Sequence, residues 1–226
     1  MVVKIAAEPQ PKAAMKRTLL LLLPVIAFAA GTSDQATRKS KEEMLGELWQ
    51  ASLSAETNGD SDVALAKAAE YLKAGGDAYL ATMRAAWIQY GKKNYDEAAR
   101  HYVNAMRLQG IALSPRLGLL TIAEDKHDVA GAAKAGDLVL VLEPTNYRAL
   151  MAVAWGAFQA KDYHKAGARY HCVMAEYPED MDALSGAAWS AYYTGQKMEA
   201  KGLFRRLISL NPSYPYARQG LAAAQY

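Results

Sequence analysis

The 226-residue chain has one cysteine, Cys172, so it forms no intrachain disulfide and offers no cysteine-based metal motif. Its four histidines are as poor a basis for a metal site. His164 and His171 stand seven apart on one helix pattern, two turns and not one, so they do not chelate as an i, i+4 pair does. His101 and His127 have no obvious acidic company. Cys172 follows His171 but points about 100° away along a helix, which argues against a Cys–His nucleophile pair. It reads instead as a buried structural thiol. Gly75-Gly76 closes a helix; no Gly-Lys-Ser/Thr follows, so it is no phosphate loop. Nucleophile elbows and dinucleotide fingerprints are missing too. The adjacent acids Glu124-Asp125 and Glu179-Asp180 read as solvated turn residues. No catalytic constellation emerges, so the expectation is a protein that is not an enzyme and needs no cofactor or metal.

Charge is also scarce once the beginning of the chain is set aside. Of 26 basic and 23 acidic residues, four basic ones (Lys4, Lys12, Lys16, Arg17) and one acid (Glu8) fall in the first thirty positions, leaving 22 of each. A neutral remainder lacks the basic field that nucleic acids demand. Lys16-Arg17 precede an apolar run from Leu19 to Ala30, which is broken by Pro24 and ends in Ala27-Phe28-Ala29. Basic, apolar and then small is the order of a secretory signal peptide. The run is shorter than the roughly twenty residues of a membrane span. Residues 1–30 are therefore expected to be a cleaved leader, with translation starting at Met15 and the mature protein exported to the periplasm or cell exterior. Membrane attachment is expected only if that leader stays uncleaved. Residues 31–44, opening GTSDQATRKSKEE, read as a polar, flexible leader.

What the chain does have is a period. Trp155 and Trp189 are 34 residues apart, and Trp87 precedes Trp155 by twice that. Cutting every 34 residues from Leu45 gives five units, 45–78, 79–112, 113–146, 147–180 and 181–214, with 215–226 left over. One slot holds Ala64, Ala98, Ala132, Ala166 and Ala200; twelve residues on stand Gly76, Gly110, Pro144, Pro178 and Pro212, each a helix stop. Turn residues recur at one phase: Asn58-Gly59-Asp60, Lys93-Asn94, His127-Asp128, Lys161-Asp162 and Gly195-Gln196. Each unit thus reads as two helices, with the alanine where the pair passes too closely for a larger side chain.

A 34-residue helix–turn–helix unit, with stretches such as NYDEAARHYVNAMRL (Asn94–Leu108) and GQKMEAKGLFRRLISLNP (Gly195–Pro212), resembles the tetratricopeptide repeat. The resemblance implies an all-α, right-handed α-solenoid of about five repeats, closed by a capping helix at 215–226. It is weaker in 45–78 and in 113–146, where Gly136 replaces the aromatic of Tyr102, Tyr170 and Phe204. The family's usual first-helix Trp and Tyr slots are also empty of aromatics.

The aromatics have moved to another face. Leu150, Val153, Ala154 and Ala157 form the stripe that meets the paired helix, as do Leu184, Ala187, Ala188 and Ala191. Trp155 lies about 150° from the centre of its stripe. The family's first helices line a concave groove, which the resemblance implies would hold Trp87, Trp155 and Trp189, flanked by Met83, Tyr90, Met151, Phe158, Tyr192 and Tyr193, with Trp49 extending the row. Packing of these rings between units is the competing expectation. The middle unit interrupts the row with Thr121, Glu124 and Asp125, so the groove suits an extended ligand. The expected function is a scaffold of the cell envelope or secreted space that holds a protein or peptide segment. Self-assembly into a filament or tube and glycan binding are the alternatives.

Overall fold

The structure, a computed structural model, describes residues 39–225. The signal peptide, the Met15 start and most of the polar leader lie outside the described residues. Within them the elements run α1 (Lys41–Thr57), α2 (Ser61–Lys73), α3 (Ala78–Gly91), α4 (Tyr95–Leu108), α5 (Ser114–Asp125), α6 (Val129–Leu140), α7 (Tyr147–Gln159), α8 (Tyr163–Glu176), α9 (Met181–Tyr193), α10 (Lys197–Leu210) and α11 (Ala217–Ala223), with no strand. Consecutive helices pack as antiparallel neighbours down the chain, and α7 also touches α9 directly.

The helix α1 begins inside the segment that the sequence reading assigned to a flexible leader. Ser40 accepts a hydrogen bond from the Glu43 amide at 3.1 Å, and the Ser40 amide donates back to Glu43 Oε2 at 2.9 Å. This capping box satisfies two donors that a helix start otherwise leaves open. The S-x-x-E signal stands in the sequence, but the polar composition around it masks it.

Each first helix hands over to its second through the same turn. Gly59, Lys93, His127, Lys161 and Gly195 stand one period apart and all have left-handed φ, between 53° and 86°. Their amides, and those of the residues that follow, reach back to the helix just ended: Lys161 to Phe158 O at 2.9 Å and Asp162 to Ala157 O at 2.9 Å, for example. That pair of bonds satisfies orphan carbonyls at a helix C-terminus. Asp128 and Asp162 then cap the next helix, accepting from Gly131 and Lys165. The carbonyl of each capping residue accepts from the amide of the recurrent alanine. Those five alanines are all buried, four of them completely.

Neighbouring pairs dock through a second repeated couple. The rings of Tyr102, Tyr170 and Phe204 lie against Gly118, Gly186 and Gly220, each sixteen residues later, where a methyl group would overlap the ring. Gly136 breaks the aromatic side of the couple and Ala152 breaks the glycine side together. There α6 lies closely on α7, with the Gly136 backbone beside Ala149 O and Val153. At the first repeat Ala68 takes the aromatic slot and Arg84 the glycine slot. Arg84 is buried, donating to Ser52 Oγ at 3.1 Å, to Ser52 O at 2.8 Å and to Glu56.

Candidate functional site: an aromatic face with acidic ends

On α7, Leu150, Val153, Ala154 and Ala157 are buried, whereas Trp155 on the far side is 46% exposed. The same rotation leaves Trp87 on α3 55% exposed, so neither ring is core. Trp189 on α9 is half-buried, its ring 5.1 Å from that of Phe204. The rings form two separate runs. In one, Trp87, Tyr90 and Tyr95 follow each other at 6.0 Å centroid spacings. In the other, Trp155 stacks on Phe158 at 5.9 Å, Phe158 meets Tyr193 at 6.0 Å, and Tyr193 lies 6.0 Å from Trp189. Tyr163 stacks on Tyr193 at 4.5 Å, and Tyr192 stands edge-on to Trp189 at 5.7 Å. Trp49 joins neither run; its ring packs with Tyr71 at 5.2 Å.

Two cavities open on this face. The larger, about 580 Å³, spans three repeats and includes Met151, Trp155, Phe158 and Trp189 in its walls. The smaller, about 300 Å³, is bounded by Met83, Trp87 and Tyr90 together with Leu117 and Thr121. Tyr192 and Tyr193 border neither cavity; Tyr192 is half-buried, whereas Tyr193 is 51% exposed and lies against both Phe158 and Trp189. The nine residues expected to form one groove therefore divide into two hollows and a flanking pair.

Between the hollows lies a polar bridge built from the middle repeat. Tyr90 donates its hydroxyl to Asp125 at 2.6 Å, and Arg148 on α7 donates to Thr121 at 3.0 Å and to Glu124 at 2.5 Å. Bonding to Asp125, with burial second, pushes the Tyr90 hydroxyl up to about 12. Glu124 and Asp125 are thus not idle turn residues but tie successive repeats together. Asp180 does likewise, capping α9 at Ala183 and accepting the Tyr147 hydroxyl at 2.9 Å. Glu56 fixes Trp87, since its carboxylate takes that indole N–H at 2.8 Å while also pairing with Arg84.

The larger cavity has a polar end that the sequence reading missed. Asp182 sits there and accepts the Tyr214 hydroxyl at 2.5 Å, with Ser185 alongside. Burial first, then the bond to Asp182, pushes Tyr214 up to about 12. Tyr170 is only 3% exposed and borders the cavity. Burial raises its pKa, and its hydroxyl makes no hydrogen bond among the described residues. Glu124, His127 and Asp128 also border this cavity. No sequence signal marked Tyr170 or Tyr214, because the first occupies the ordinary aromatic slot and the second lies in a link.

Cys172 was expected to be buried and is exposed. On α8 the buried face is Ala166, Tyr170 and Val173, and two residues of helix turn Cys172 about 200° from Tyr170. His171 is spent locally, its Nδ1 2.8 Å from Gly167 O and its Nε2 2.9 Å from Glu199. Among the described residues no group of three or more His, Cys, Asp or Glu could hold a metal ion, and no helix is long and apolar enough to cross a membrane.

The arrangement of helix pairs is shared with solved proteins. A tetratricopeptide repeat protein from Parabacteroides merdae ATCC 43184 superposes with a TM-score of 0.60 at 18% identity, over 80% of this chain and 72% of that one. YrrB, described as a TPR protein with an unusual peptide-binding site, gives 0.60 at 16% identity over 80% of this chain and 97% of its own. The chain has the tetratricopeptide-repeat fold. MamA shares it as well, with a TM-score of 0.60 at 15% identity over 78% of this chain and 96% of its own. In sequence, an alignment of 123 residues that covers 50% of the chain is 34% identical to cellulose synthase operon protein C of Pseudomonas fluorescens (strain SBW25). The chain spans about a tenth of that curated relative's length. No family model matches the chain.

Proposed function

We propose that this tetratricopeptide chain is a non-catalytic scaffold whose aromatic face holds an extended segment of a partner protein. The observation that carries the reading is the exposure of Trp155, Trp87 and Tyr193 on a face whose other rings are half-buried. Aromatic side chains left in water on a rigid surface are the usual anchors of a protein interface. A cavity of about 580 Å³ falls in the range that encloses one long side chain and its neighbours. The turns and aromatic–glycine couples fix the first helices before any ligand arrives, so little ordering remains to be done on binding. YrrB, of the same fold, is described as having a peptide-binding site. The order of basic, apolar and small residues in the first thirty positions supports an exported protein of the cell envelope or secreted space.

A second reading has one observation in its favour. The half-chain likeness to a cellulose synthase operon protein, together with tryptophan faces that stack on sugar rings, supports a glycan chain as the ligand.

Replacing Trp155 and Trp189 together by alanine separates site from core. The double variant is expected to keep its helical circular dichroism and to lose partner binding by at least tenfold. Each half-exposed ring contributes roughly 1–2 kcal/mol of burial to the fold, which five repeats can lose. Global unfolding of the variant would show the rings to be core and end this reading. Retained binding by a folded variant would end it equally.

A further inference from the structure

We infer that the larger cavity selects a cationic side chain, a lysine or arginine of the bound segment, and this inference rests on the groove reading above. Three carboxylates border the cavity, Glu124, Asp128 and Asp182, and no lysine or arginine does. Arg148 neutralises Glu124 at 2.5 Å. Asp128 accepts from the Gly131 amide at 2.9 Å and Asp182 from the Tyr214 hydroxyl at 2.5 Å, yet neither has an ion-pair partner among the described residues. Both keep oxygen lone pairs to spare. Two carboxylates without an ion pair therefore border the same hollow as Met151, Trp155 and Trp189.

The chemistry of the walls fits the same occupant. An ammonium or guanidinium group is attracted to the face of a tryptophan, and its methylene stem packs on apolar surface. Tyr170 borders the same cavity, and its hydroxyl has no hydrogen-bond partner among the described residues, so it is available to accept from a bound donor. A lysine ammonium donates three hydrogen bonds, enough for the Tyr170 oxygen and the Asp182 carboxylate together. A neutral sugar satisfies the hydroxyl but leaves the carboxylate charge uncompensated, and an acidic segment is repelled by it.

The test uses the full chain and a phage-displayed library of random peptides. Selected peptides are expected to share one lysine or arginine at a fixed position beside apolar residues. A synthetic copy with neutral norleucine in place of that lysine is expected to bind at least about tenfold more weakly. In Asp182→Asn, which keeps the shape and the acceptor for Tyr214, that difference is expected to shrink to threefold or less. Raising the salt is expected to weaken the lysine peptide more than the norleucine copy. Peptides selected with no basic position, or a lysine preference unchanged in Asp182→Asn, would overturn the inference and leave the groove reading standing. If no peptide is enriched over the Trp155→Ala, Trp189→Ala control, or only cello-oligosaccharides bind, the groove reading falls and this inference with it.

Discussion

Lys93, His127 and Lys161 stand in turns where Gly59 and Gly195 stand in the other two repeats, and all five have left-handed φ. A residue with a Cβ carries a cost of roughly 1–2 kcal/mol in that conformation, which glycine avoids. Glycine loses more backbone entropy on folding, which offsets part of the gain. Lys161→Gly is therefore expected to raise stability by up to about 1 kcal/mol, and Gly195→Ala to lower it by about 1 kcal/mol, read as shifts in urea midpoint. Equal effects of one sign would show that these turns are not strained as described. Tyrosines give a second handle at this scale. Tyr90 and Tyr214 are both pushed up to about 12, Tyr90 mainly by its bond to Asp125 and Tyr214 mainly by burial. The folded state thus favours the neutral hydroxyl. Its contribution is complete below the ordinary tyrosine value near 10 and is lost as the pH climbs from there towards 12. Between those limits the wild type is expected to lose stability faster than Tyr90→Phe,Tyr214→Phe. Thermal melts in that window check it, and parallel curves would contradict it.

At the scale of elements, an aromatic of one repeat lies on a glycine of the next. At Gly186 and Gly220 a methyl group would overlap the rings of Tyr170 and Phe204. Gly186→Ala is expected to cost about 1–3 kcal/mol through overpacking, despite alanine's better helix propensity. Ala152→Gly, at the equivalent position of the repeat without an aromatic, is expected to cost only about 1 kcal/mol of propensity. Chemical denaturation separates the two, and similar costs would argue against the ring as the cause. Much of this layer was legible in the sequence. The period, the alanine slot, the turn phase and the boundary at Tyr147 to Gln159 follow from local propensities, and local rules write themselves into neighbouring residues. The start of α1 was obscured because the Ser40–Glu43 box sits in a polar stretch that resembles a linker. Asp182 with Tyr214, Tyr90 with Asp125 and Arg148 with Glu124 join residues between 24 and 35 positions apart. Nothing in the sequence near either partner announces such a bond. The exposed face was readable from helical angle alone, but its division into two hollows depended on those bonds.

At the scale of the whole molecule, each repeat buries its apolar side only against the next, and α11 covers the last one. Phe204 and Leu207 are fully buried, packed with Ala217, Leu221 and Ala224 around α11. Removing residues 215–226 is expected to lower stability by about 3–5 kcal/mol, since two large side chains return to water. Because coupling in a solenoid runs between neighbours, hydrogen exchange is expected to accelerate most in α9 and α10 and least in α1 to α4. Uniform acceleration would mean a more global cooperativity than this architecture supplies. Partner binding draws on the same modularity, with a segment laid across successive first helices. The four tryptophans allow that to be read in one experiment, since each contributes one indole N–H signal to a nitrogen-correlated NMR spectrum. Titrating in a peptide selected by the full chain is expected to shift the indoles of Trp155 and Trp189 strongly while leaving Trp49, packed on Tyr71, in place. Binding that shifts Trp49 but not Trp155 or Trp189, or that shifts none of the four, would contradict the account.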